Sequence, residues 1–274
     1  MQYFDMSGPV LNFLFFGDVV GKGGRRAVAA MIPRFKRKYN CQFAIVNAEN
    51  CACGAGLTLS CLREMPQADV FTGGDHTWDR KEFEQEIAGI RNMIRPANFS
   101  SLQPGKGWDY FRNPAGGDVA VISLVGKVFM KESARCPFET AEEILKKIPV
   151  TVKCIVVDFH AEATSEKLAM AAFLDGRVTA VLGTHTHVQT ADARILPGGT
   201  AAVTDVGMVG GADSILGRST EDVIRKFRTG MPTKLSVVEE NIRCDAVVVS
   251  YEMQTGKAVA IQTVSELFNP DQEM

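Results

Sequence analysis

Short apolar runs alternate with amphipathic stretches along most of this 274-residue chain, and that alternation limits what it can fold into. Leu11–Phe16, Phe43–Val46, Asp69–Phe71, Val119–Leu124, Cys154–Asp158 and Val178–Leu182 are bounded by Gly, Asn, Asp or Pro and read as buried strands. Between them Gly24–Tyr39, Lys81–Gly89, Thr140–Lys147 and Thr164–Leu174 carry helical spacing; in the first, Val28, Ile32 and Phe35 share a face away from Arg34, Lys36 and Lys38. Sheet layers covered by helices follow, an α/β class. The last third changes character: Ala201–Thr204 reads as a strand, and Cys244–Glu252 with Lys257–Val264 as a hairpin turned by Met253-Gln254-Thr255-Gly256. No linker or charge run divides the chain. The expectation is one domain over 1–274, ordered from about 11 to 266, with loose ends at 1–10 and 267–274.

With 46% hydrophobic and 23% charged residues the chain has the composition of a folded globular protein, and disorder is not the default. A net charge of −2 argues against long nucleic acid as a partner, because phosphate backbones are bound by a basic stripe. The one basic run, Arg34-Phe35-Lys36-Arg37-Lys38, ends a helix, where cations meet the negative pole of the dipole. No stretch approaches the roughly 20 apolar residues of a membrane span. Leu11–Phe16 is short and lacks a basic segment before it, so it does not read as a signal peptide. Seven cysteines, an odd number, fit reduced thiols and a cytoplasmic location. Cys51-Ala52-Cys53 lacks a second thiolate pair at ligand spacing and is not expected to bind zinc; small residues in a tight loop are favoured over redox sensing.

The polar residues carry the chemistry. Nearly every strand stops at an acid, an Asn or a His: Asp18, Glu49-Asn50, Asp75-His76, Asp158 and His160, His185 and His187, Asp205. In open α/β sheets ligands bind beyond the carboxyl ends of the strands. The chain has only four histidines, and all four fall at such ends. In Gly183-Thr184-His185-Thr186-His187 an extended backbone would point both imidazoles the same way. Mixed imidazole and carboxylate ligands suit iron, manganese or zinc, and their number suffices for a two-metal centre that clamps a phosphate and activates a bridging hydroxide.

Longer runs carry a resemblance. Phe16-Gly17-Asp18-Val19-Val20-Gly21-Lys22, Asn47-Ala48-Glu49-Asn50 and Gly74-Asp75-His76-Thr77-Trp78-Asp79 resemble the calcineurin-like metallophosphoesterases. Asp158-Phe159-His160-Ala161-Glu162-Ala163-Thr164, Gly183-Thr184-His185-Thr186-His187-Val188-Gln189, Arg95-Pro96-Ala97-Asn98 and Thr204-Asp205-Val206-Gly207-Met208 are similar to the bacterial YmdB branch in particular. The resemblance implies a four-layer α/β/β/α sandwich and phosphodiester hydrolysis, with 2′,3′-cyclic nucleotides the usual substrate of the branch. It implies that Asp18, Glu49, Asn50 and His187 serve one metal, iron or manganese before zinc. Glu49 would bridge to a second, completed by Asp75, His160 and His185, and His76 would be the catalytic proton donor. Self-association is also compatible with it.

One position departs from the family pattern. Asp75 stands where Asn is usual; it still offers an oxygen, but brings a charge and loses the amide donors. This keeps a second reading alive, a regulatory protein with a degenerate metal site, against which the retained His76 argues. Other expectations are weaker. Asp158 supports His160 or merely ends its strand, and Asp192 or Asp205 orients the paired imidazoles. Trp78 and Asp79 read as structural. Lys22 and Arg25 read as a solvated helix start sooner than as phosphate contacts, and 92–108 as a wall of the substrate pocket.

Overall fold

The computed structural model describes residues 8–131 and 133–268. Along the chain come first β1 (Val10–Phe16), β2 (Asp18–Val19), β3 (Phe43–Asn47), β4 (Val70–Thr72) and β5 (Met93–Ile94). Then come β6 (Trp108–Arg112), β7 (Asp118–Val125), β8 (Cys154–His160), β9 (Ala180–Thr184), β10 (Arg194–Ile195) and β11 (Ala201–Val203). Last are β12 (Met208–Gly211), β13 (Ile242–Glu252) and β14 (Ala258–Phe268). The first and last groups form one eight-stranded sheet, ordered β2-β12-β13-β1-β3-β4-β5 with β14 also on β13; the middle group forms a six-stranded sheet, ordered β10-β11-β9-β8-β7-β6.

The central strands are buried on both faces, and their side chains alternate between two cores. Phe13 and Phe15 of β1 meet Val119 and Val121 of β7 and Val156 of β8 between the sheets. Leu14 and Phe16 turn outward beneath α1 (Gly21–Lys38), against Val28, Met31, Ile32 and Phe35. That outer core also takes in α2 (Leu59–Arg63) and α3 (Phe83–Glu86). Ala120, Ile122 and Leu124 turn to the other outer face under α4 (Pro137–Leu145) and α5 (Thr164–Leu174). The result is the four-layer α/β/β/α sandwich, with α6 (Thr220–Thr229) added late in the chain.

Differences from the sequence reading have simple causes. The two-residue strands β2, β5 and β10 are too short to show a period, and β12 carries Gly210 and Gly211. α6 carries Val223, Ile224 and Phe227 on one face but buries only Val223; a Ser219 side-chain cap and left-handed Gly230 delimit it. The helix expected over Lys81–Gly89 breaks into α3 and a 3₁₀ turn, Ile87–Gly89. Of the loose ends expected at 1–10 and 267–274, residues 1–7 and 269–274 lie outside the described residues, while Val10 and Leu267–Phe268 are paired strand residues, against the expectation. The basic helix end is neutralised: Arg34 and Lys38 bond Glu266, and Lys36 bonds Asp69 at 2.7 Å. Among the described residues no helix is long and apolar enough to cross a membrane.

Phe16 stacks on Phe35 with ring centroids 5.8 Å apart, fully buried, one residue before the turn into Asp18. Phe16→Ala is expected to cost about 3–5 kcal/mol of unfolding free energy, read from urea denaturation at unchanged m-value. A loss under about 1 kcal/mol would mean that this outer core collapses onto the cavity at little cost.

Candidate metal centre

The two sheets contribute different chemistry to one edge of the sandwich. The first brings acids and an amide: Asp18 on β2, Glu49 and Asn50 past β3, Asp75 with His76 past β4. The second brings imidazoles: His160 ends β8, and His185 and His187 follow β9. Single atoms of Glu49, Asp75, His160 and His185 all lie within 4.8 Å of one another.

Hydrogen-bond partners outside this cluster assign the imidazole protons. Thr184 Oγ1 donates its one hydrogen to Asp158 Oδ1 at 2.7 Å, so it accepts from His160 Nδ1–H at 2.9 Å. That leaves a lone pair on His160 Nε2, yet this atom lies 3.0 Å from Asp75 Oδ1, 3.2 Å from Glu49 Oε1 and 3.0 Å from His185 Nδ1. His185 Nε2 is 3.1 Å from the Glu162 carboxylate, which takes its proton and leaves Nδ1 bare. The Leu216 carbonyl can only accept, so His187 Nδ1 donates to it at 3.3 Å and Nε2 turns its lone pair to Asn50 Oδ1 at 3.1 Å. All three imidazoles thus aim lone pairs at oxygen acceptors.

The carboxylates are arranged likewise. Glu49 Oε2 accepts from the His76 backbone N–H at 3.2 Å and Asp18 Oδ2 from that of His185 at 3.1 Å. Their other oxygens, Glu49 Oε1 and Asp18 Oδ1, are buried without a hydrogen bond. Gly74 permits this closeness, since a Cβ there would stand 2.1 Å from Glu49 Oε2 and 2.5 Å from His160 Cδ2. Acceptors facing acceptors at the buried floor of a cleft need a shared cation, and imidazole with carboxylate is the donor set of a transition metal. The residues fit the metals that the resemblance implies.

Charge follows from this crowding. Burial pushes the Asp18 carboxyl up to about 6, with His187 and His160 opposing it. Burial would also raise Asp75, but when protons stand in for a metal on His160 and His185, their hydrogen bonds outweigh it and hold the carboxyl below its ordinary range. Burial disfavours a charged His160; the Glu49, Asp75 and Asp18 carboxylates prevail and raise it well above an ordinary imidazole, so a proton fills the site when a metal does not. His76 stands apart from the cluster. Its Nδ1 is 2.8 Å from Asp79 Oδ2, and although burial lowers its pKa, Glu49, Asp75 and Asp79 together keep it raised.

The paired histidines reach the site by a route the sequence reading did not anticipate. They are not extended: His185 has φ 101° and His187 φ 64°, left-handed backbone past the strand end. Between them Thr186 is anchored through both N–H and Oγ1 to Asp205 Oδ2, at 3.0 and 2.8 Å, and Asp205 is itself paired with buried Lys167 at 2.7 Å. This twist sends His185 to His160 and His187 to Asn50. Asp205 therefore acts on the loop, and Asp192 binds Thr190 and the Thr204 N–H; neither touches an imidazole. Asp158 reaches His160 through Thr184.

Several expectations are corrected. Arg25 is buried and bonds Glu64 and the Cys51 carbonyl, far from a solvated helix start, whereas Lys22 is exposed. Asp79 Oδ2 lies 2.8 Å from His76 Nδ1, a contact not expected from the sequence. Residues 92–108 do not line the two clefts at the centre; Leu102, Gln103 and Pro104 border a separate one with Trp78. Cys51 is buried against Cys61, while Cys53 is exposed. Glu162 and Arg218, both at the clefts, were not singled out from sequence. Glu162 carried a signal in its place two residues after His160; Arg218, which bonds the Cys53 and Gly54 carbonyls, carried none.

Comparison with known proteins agrees with this geometry. A family model described as YmdB-like protein matches residues 14–264. A Bacillus subtilis protein named 2′,3′-cyclic-nucleotide 2′-phosphodiesterase is 46% identical over 263 residues, covering 95% of this chain and 98% of that one. A crystal structure of a hypothetical protein from Thermus thermophilus superposes with a TM-score of 0.87 at 36% identity, covering 94% and 100%. One described as a novel phosphatase from Mycoplasma pneumoniae gives 0.88 at 32% identity, covering 96% of each chain. Matched along nearly its whole length in sequence and in fold, this chain belongs to the YmdB-like protein family.

Proposed function

We propose that this phosphoesterase hydrolyses 2′,3′-cyclic nucleotides and similar small phosphodiesters, using two transition-metal ions, iron or manganese before zinc. The observation that carries the reading is the convergence of lone pairs and unpartnered carboxylate oxygens at one sheet edge. Asp18, Asn50 and His187 would hold one ion and Asp75, His160 and His185 the other, with Glu49 between them. Bound ions supply Lewis acidity toward phosphoryl oxygens and bring the pKa of water near neutrality. The chain's own residues do the rest. Both sheets serve one site, which goes with a single catalytic domain. Seven cysteines without a disulfide suit the cytoplasm, where we place the enzyme.

His76 is the proton donor in this scheme. Asp79 fixes the ring through Nδ1, and the surrounding carboxylates favour the imidazolium, so Nε2–H can protonate the leaving ribose oxygen. A regulatory protein with a retired site would have no use for this Asp79–His76 pair.

Three outcomes test the proposal. Protein purified without chelator is expected to carry close to two iron or manganese ions per chain and to cleave 2′,3′-cyclic AMP until a chelator removes them. A ceiling of one ion after reconstitution, or cleavage that survives complete metal removal, would sink the two-metal scheme.

His76→Ala should lose at least about 10²-fold in turnover at unchanged metal content, with a smaller loss for esters of good leaving groups. If metal analysis showed an ion lost instead, His76 would be a ligand and its role as donor wrong.

Asp75 adds a negative charge beside Asp18 and Glu49, which weakens both the pull on an anionic phosphate and the Lewis acidity of the ions. It also lacks the amide donor whose loss can cost roughly 10²–10³ in rate. Asp75→Asn is expected to raise turnover at least about tenfold, with metal retention equal or slightly reduced. A slower variant with full metal content would make Asp75 an adapted feature of the catalyst.

A further inference from the structure

Two clefts share His76, Glu162 and His185. One, of about 330 Å³, includes Asn50, His187 and Arg218. The other, of about 480 Å³, is walled by Phe129, Met130 and Lys131. That volume falls within the range of small-ligand sites.

The wall is built with care at its root and left bare at its tip. Gly126 donates its N–H to the His160 carbonyl at 2.9 Å, tying the segment to the strand that carries a central imidazole. The Glu166 carboxylate, buried on α5, accepts from the Lys127 N–H at 2.9 Å and the Val128 N–H at 3.2 Å. A Cβ at position 126 would strike Glu166 Oε2 at 2.4 Å, so glycine is needed for the carboxylate to reach in. From this root Phe129 projects with 85% of its surface exposed, on left-handed backbone with φ 63°. An aromatic ring in water and a bulky residue with positive φ are each unfavourable, and nothing in the packing of the described residues requires either.

We propose that Phe129, backed by Met130, is the base-stacking wall of a nucleoside subsite, with the phosphate at the histidine–carboxylate cluster and the base against the ring. This rests on the reading that the substrate is a cyclic nucleotide. Every base presents a π-face, so an aromatic wall accepts all of them and grips purines more firmly than pyrimidines. The thioether of Met130 adds a polarisable surface that adapts to either. The turn pinned by Glu166 fixes the backbone from which the ring projects before the substrate arrives, which spares part of the ordering cost of binding.

The test compares wild type, Phe129→Ala and Phe129→Tyr on 2′,3′-cyclic AMP, 2′,3′-cyclic CMP and the base-free glycerol 1,2-cyclic phosphate. For Phe129→Ala the ratio of kcat/KM on cyclic AMP to that on the glycerol ester should fall about tenfold, the loss lying in KM, with a smaller fall for cyclic CMP. Phe129→Tyr should restore the ratio. An unchanged ratio, within about twofold, overturns the subsite whether or not absolute rates move. Phe129 is exposed, so its loss does not threaten folding. If wild type itself prefers no cyclic nucleotide over the glycerol ester, the nucleotide reading fails and this subsite with it. If wild type prefers the nucleotide and Phe129→Ala keeps that preference, the Phe129 assignment alone fails.

Discussion

His160 Nε2 faces Asp75 Oδ1 at 3.0 Å, Glu49 Oε1 at 3.2 Å and His185 Nδ1 at 3.0 Å, and its own proton is already committed to Thr184 on the far side of the ring. So many acceptors turned on one another repel unless a cation stands among them. The surrounding structure is arranged to hold that unfavourable geometry in place. Backbone N–H groups of His76 and His185 each tie one carboxylate oxygen and free the other. The Asp158–Thr184 pair locks the His160 tautomer, and Leu216 and Glu162 do the same for His187 and His185.

In the proposed scheme, proton donation is separated from cation holding. His76 lies beside the cluster with its partner Asp79 and answers to the charge of Glu49 and Asp75. A group that must give up a proton is best kept out of a metal's coordination, where its lone pair would be committed. Asp75 couples the two functions, since its charge both raises the His76 pKa and enters the donor set.

Much of this was legible in the sequence because strand ends announce themselves. A buried strand is an apolar run, and the first polar residue after it marks the crevice, so Asp18, Glu49, His160 and His185 were readable as one site. The four-layer fold came from the longer resemblance, since alternation alone specifies layers and not their number. What escaped was set by tertiary pairing. β2 and β5 exist because β12 and β4 pair with them, and no periodicity marks two residues. The left-handed turns at His185 and His187 could not be read, because Gly or Asn ordinarily signals such backbone; here Asp205 and Lys167 impose it from 19 and 38 residues away from Thr186 and Asp205 respectively. Arg218 and the wall at Phe129 come from loops, where composition says little about direction.

The origin of the donors has a consequence for what keeps the centre whole. Every carboxylate of the centre stands on the eight-stranded sheet, whose strands come from both ends of the chain, and every imidazole of the cluster stands on the six-stranded sheet from its middle. The four residues whose ligand atoms converge are split evenly, Glu49 and Asp75 from one sheet and His160 and His185 from the other. The centre is therefore complete only where the two sheets close on each other, and drawing them apart would part its acids from its imidazoles.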